Sequence, residues 1–109
     1  MPKTIKTLDL SVYEQKYLDV VLLDGSIIQL KKPTQKIAIE MASLPQYLFE
    51  TDLNVIVTAL NDVLINILNN NREDRVFTLA DVQDWEIELK NAVLEAYQGF
   101  LFELQKQDF

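Results

Sequence analysis

The chain has 109 residues with no Cys, no His, two Gly and three Pro, a length that suits one domain and is short for two. Without Cys or His it lacks thiol nucleophiles, disulfides and the usual zinc and haem ligands. Ten Lys and Arg against seventeen Asp and Glu give a formal charge of −7, which argues against a duplex-binding protein, because duplex affinity depends on a surplus of phosphate-neutralising cations.

From the N-terminus, Met1 to Lys6 carries positive charge, but Asp9 and Glu14 follow and no apolar stretch of the signal-peptide kind does. No window reaches the roughly 20 apolar residues of a spanning helix. The expectation is a cytoplasmic protein that does not enter a membrane: one domain over 1–109, with an extension (1–15), a β-hairpin (16–32) and a helical region (34–109). Leu18 to Leu23 and Ile27 to Leu30 are aliphatic and flank Asp24-Gly25, a strong hairpin signal. A three-residue loop ending on Ser26 pairs Leu22 with Ile28, Val20 with Leu30 and Asp19 with Lys31, separating apolar from charged faces. Lys31-Lys32 then forms a charged strand end that discourages edge pairing.

Pro33 closes the strand and Thr34 caps a short helix with Ile37, Met41 and Leu44 on one face, stopped or kinked at Pro45. Gln46 to Thr51 reads as a second short turn or a continuation. Asp52 caps a longer helix on which Leu53, Val57, Leu60, Leu64 and Ile67 follow helical spacing, ending near Asn69. Residues 69–74 form a polar loop that lacks the alternating acids, central Gly and terminal Glu of a calcium loop, so no metal is expected. Thr78 with Asp81, and Phe77 with Val82, have the spacing of a capping box and a hydrophobic staple. A long helix is expected from there to Lys106, with a main apolar stripe of Val82, Trp85, Leu89, Val93, Ala96, Phe100 and Leu104; Gly99 marks a kink or an early end. The sum is a mainly α fold of the α+β type: an N-terminal β-hairpin packed on a small bundle of about three helices, the last one long.

The charge is uneven. Residues 1–33 hold five Lys against four acids, and residues 34–109 hold five basic residues against thirteen acids, so the acidity belongs to the helical part. Enzyme chemistry fails for want of parts: no His serves Ser11, Ser26 or Ser43 as a base, and two glycines do not build a phosphate loop. Glu86 and Glu88 lie about 200° apart on a helix, while Asp81 and Asp84 sit where acids favour a helix start. No catalytic residue and no cofactor is expected. Trp85 and Tyr97 lack the basic groove that single-strand stacking platforms need and are assigned to the core or its edge.

A second apolar row, Ile87, Leu94 and Leu101, repeats every seven residues about 120° from the main stripe. Either the domain covers both rows itself, or one row is a seam for self-association or for a helical client. Ile87, Leu94, Leu101 and the neighbouring Phe102 are the candidate partner-binding residues.

The run from Leu23-Asp24-Gly25-Ser26 through Leu30-Lys31-Lys32-Pro33-Thr34-Gln35-Lys36 to Ile39-Glu40-Met41, followed by an acidic helical remainder, resembles the small tail assembly chaperones of long-tailed bacteriophages infecting Gram-positive bacteria. The resemblance covers the first 45 residues best, and the rest matches in length and acidity. It implies a non-enzymatic chaperone that coats the tape measure protein in the host cytoplasm before the tail tube polymerises, and a chain like the short form in a family where frameshifting also makes a longer one. The alternative from another class is a small acidic homo-oligomeric adaptor or inhibitor that binds a basic protein surface.

Overall fold

The computed structural model describes Leu8, Asp9 and residues 16–105. Most of the expected 1–15 extension, and Lys106 to Phe109, therefore lie outside the described residues. A two-stranded antiparallel hairpin, β1 (Leu18–Val21) and β2 (Ile27–Leu30), is followed by helices α1 (Gln35–Ser43), α2 (Leu53–Asn69), α3 (Leu79–Val82) and α4 (Ile87–Gln105), the last the longest.

The hairpin loop has the expected length but lies one residue earlier in the chain. Leu22 N–H donates to Ser26 C=O at 2.7 Å and Gly25 N–H to Leu22 C=O at 2.9 Å, so the loop is Leu23-Asp24-Gly25. Gly25 has φ +88°. A loop of this kind takes a left-handed residue at its third position, which suits glycine and disfavours Ser26. The pairs are consequently Leu18 with Leu30, Asp19 with Gln29, Val20 with Ile28 and Val21 with Ile27. This corrects the expected pairs by two positions, a shift that leaves every side chain on its expected face. Val20, Leu22, Ile28 and Leu30 turn toward the helices, and Val21 and Ile27 form an exposed apolar pair on the outer face.

The helix starts follow their caps. Thr34 Oγ1 accepts from Ile37 N–H, Asp52 Oδ1 accepts from Asn54 N–H at 3.0 Å, and Asp81 Oδ2 accepts from Thr78 N–H at 2.7 Å. Pro45 ends α1 by withholding an N–H, and the chain continues directly as a 3-10 helix over Leu44–Phe49.

The single long helix expected from Thr78 onward is two helices. After Val82 the chain leaves helical geometry through Gln83 to Glu86, and α4 restarts with Glu86 C=O accepting from Leu89 N–H and Lys90 N–H. Acids at 84, 86 and 88 favour such a restart, since carboxylates are stabilised at helix N-termini. The break also resets the helical phase. A continuous helix would align Val82 with Leu89, Val93 and Ala96, whereas in the fold Val82 is fully buried while α4 turns Lys90, Leu94 and Tyr97 into the core. Gly99 does not end α4, which runs through it to Gln105.

One buried cluster draws on the hairpin, α1, α2, α3 and α4, centred on Leu30, Leu64, Ile67, Leu68 and Tyr97. Its polar members are paired. Lys90, 2% exposed, donates from Nζ to Asn61 Oδ1 at 2.8 Å, and Tyr97 Oη donates to Lys31 C=O at 2.7 Å.

Candidate functional site

Two surfaces of the hairpin are treated differently by the fold. Along the outer edge of β2, Gln29 C=O accepts from Arg72 N–H at 2.8 Å, Gln29 N–H donates to Glu73 Oε1 at 2.9 Å, and Lys31 N–H donates to Asn70 C=O at 2.8 Å. That edge is closed by the segment after α2. The Asn triplet that begins this segment holds it by side chains as well. Asn69 brackets the backbone of Phe77, accepting from its N–H at 2.6 Å and donating to its C=O at 3.1 Å. Asn70 donates to Lys32 C=O at 2.8 Å, and buried Asn71 bonds Leu68 C=O, Arg75 C=O and Arg75 N–H. These residues read in the sequence as a solvated loop, and three consecutive amides before a short connection are the one local hint of their work.

The outer edge of β1 has no such cover: among the described residues no strand pairs with it. Beside it runs a cleft of about 300 Å³ between β1 and α4, walled by Val20, Val21, Leu22 and Leu23 on the strand side and by Trp85, Leu89, Ala92, Val93 and Ala96 on the helix side, with Asp19 at its rim. A second, more polar hollow of about 190 Å³ shares Leu22, Leu23 and Trp85 with it and extends to Asp24, Arg75 and Asp81. The two make one groove, apolar along α4 and charged at the hairpin tip.

The tip is a small ionic lattice. Asp24 Oδ1 accepts from Ser26 Oγ at 2.6 Å and from Ser26 N–H at 2.9 Å, and Arg75 donates to Ser26 Oγ at 2.8 Å while lying 3.7 Å from Asp24 Oδ2. The Ser26 hydroxyl first, then the Ser26 N–H and the Arg75 charge, hold the Asp24 carboxyl below its ordinary value. The arrangement pins the hairpin loop. Among the described residues no group of three or more His, Cys, Asp or Glu could hold a metal ion, and no helix is long and apolar enough to cross a membrane.

The four residues singled out from the second row of α4 do not form one face. Leu94 is 7% exposed inside the core cluster, so its assignment to an intermolecular seam is corrected: it packs within the chain. Leu101 is half-buried against the same core, while Ile87 (48%) and Phe102 (64%) are exposed. None of the four lines the groove. The main stripe does both jobs: Val82 is core and Trp85, Val93 and Phe100 are half-buried against it, while the break after Val82 leaves Trp85, Leu89, Val93 and Ala96 lining the groove opposite β1.

Comparison with protein families, with characterised proteins and with solved structures finds no match for this chain.

Proposed function

We propose that this chain is a non-catalytic binding protein that holds an apolar segment of a larger client, acting as a tail assembly chaperone for a phage tape measure protein in the host cytoplasm. The observation that carries the binding reading is the groove between β1 and α4, apolar along α4 and open to solvent beside a strand edge that is unpaired among the described residues. Exposed apolar surface of this kind marks interaction sites, and the acidic exterior keeps a loaded complex dispersed. The choice of client rests on the resemblance of residues 23–41 to that chaperone family.

Co-expression with the tape measure protein encoded nearby tests the reading. The client stays in the soluble fraction and co-purifies with several copies of the chaperone; a client that remains insoluble, or that elutes alone under gentle conditions, counts against it. An acidic homo-oligomeric adaptor or inhibitor is the second reading, favoured by exposed Glu88 and Glu95, which no cation among the described residues neutralises. Salt separates the two: apolar coating survives high ionic strength, and attraction between surface charges does not.

A further inference from the structure

The outer edge of β1, unpaired among the described residues, is a row of hydrogen-bonding groups as well as a wall of the groove. Antiparallel neighbours alternate between residues that bond across the pair and residues that point away. Leu22 bonds toward Ser26, so Val20 and Leu18 face β2, and Val21 and Asp19 turn their N–H and C=O outward. The same alternation on β2 turns Gln29 outward, and there both backbone groups are taken, by Glu73 and Arg72. One edge of the sheet is thus closed by the chain's own segment and the other, among the described residues, offers two donors and two acceptors beside an apolar cleft.

We infer that the groove takes an extended segment of the client, added to β1 as a further strand, in which apolar residues alternate with Lys or Arg. This rests on the client-binding reading above and specifies the conformation and chemistry of what is bound. Strand addition supplies backbone hydrogen bonds from the partner to Val21 and Asp19, and the period of two sends every second side chain into the cleft against Leu89, Val93 and Ala96. The side chains between them lie on the outer face beside Asp19.

Charge decides the class of occupant. Asp19 lies on the strand rim, and Glu88 and Glu95 lie on the flank of α4 that the core does not cover, all three exposed. Among the described residues no lysine or arginine lines the apolar part of the groove. An acidic strand, including β1 of a second copy carrying its own Asp19 in a chain of net charge −7, meets like charge there, and a basic one is matched.

Trp85 is the single tryptophan and lines both parts of the groove, so its fluorescence reports occupancy. The full chain is titrated with two synthetic peptides of one composition, Lys with Val and Leu, one alternating apolar and basic residues and one arranging them at helical spacing. The alternating peptide binds and the helical one binds at least about tenfold more weakly. N-methylation of the alternating peptide's amides that face β1, which leaves the protein untouched, weakens binding by about tenfold or more. Val21→Pro, which deletes an outward N–H and no bond of the hairpin, does the same with unchanged circular dichroism. Equal binding of the N-methylated peptide, or tighter binding of the helical one, overturns strand addition. So does light scattering that shows the chain dimerising through this edge, in which case the occupant is a second copy. A tape measure protein that fails to co-purify removes the client reading, whereas co-purification together with indifference to N-methylation removes only the extended conformation.

Discussion

The phenol of Tyr97, fully buried on α4, donates to the backbone carbonyl of Lys31 at the end of β2 at 2.7 Å. The two residues are 66 positions apart, and their bond fixes the height at which the last helix lies against the hairpin. The groove between β1 and α4 depends on that spacing.

Removing the bond is expected to loosen the groove before it unfolds the chain. Tyr97→Phe leaves the Lys31 carbonyl without this partner and costs about 1 kcal/mol in denaturant unfolding, with little change in helicity. The same residue sets an alkaline limit. Burial pushes the phenol up from its ordinary value of 10.0 to about 12, the side chain of Asn70 pulling it partly back. The neutral phenol is thus favoured by the fold. Its contribution is complete below pH 10 and falls between pH 10 and about 12, as the unfolded chain ionises first. Stability measured across that range falls more steeply for the wild-type chain than for Tyr97→Phe.

Lys90 and Asn61 form a buried pair whose two halves are unequal. Asn61→Leu strands an ammonium group in the core and is expected to cost about 3 kcal/mol; Lys90→Met strands only an amide and costs about 1 to 2 kcal/mol. The double substitution is expected to recover most of that loss, since nothing polar remains unpaired. A double-mutant cycle by urea denaturation reads the coupling directly.

At Gly99 the helix runs on unbroken, and a Cβ there meets nothing within 4 Å. Gly99→Ala is therefore expected to raise stability by about 1 kcal/mol, by removing backbone freedom from the unfolded chain. Thermal unfolding checks it, and a loss would place a bend at this position.

The two ends of the second row on α4 are expected to part company. Leu94→Asp puts a charge into the core and unfolds the chain at room temperature, while Ile87→Asp changes stability by less than about 0.5 kcal/mol. Circular dichroism of the two variants decides.

What the sequence disclosed was local. Thr34, Asp52 and Thr78 announced their helices because a cap acts within three residues, and Asp24-Gly25 announced the hairpin, though its register turned on which loop position takes a left-handed residue. The break between α3 and α4 was hidden because Trp85 and Leu89 continue the apolar spacing of Val82 across it with no Gly or Pro to mark the interruption. From that hidden break comes a divided stripe: Trp85 and Val93 pack on the core and also line the groove, and Leu94 of the second row is core. Lys90 and Asn71 were illegible for another reason. Each is a polar residue buried only because a partner brought in by the fold satisfies it, Asn61 for the first and Arg75 with Leu68 for the second.

The proposed client binding lies in the groove and not at the exposed Ile87 and Phe102 of α4, and one co-expression experiment separates the two. Ala92 is exposed at the groove wall, so Ala92→Lys fills the groove and reverses its charge without touching the core. Co-expressed with the tape measure protein, the wild-type chain and Ile87→Asp are expected to keep the client in the soluble fraction, and Ala92→Lys to lose most of it to the pellet. Full solubilisation by Ala92→Lys, with loss for Ile87→Asp, contradicts the account.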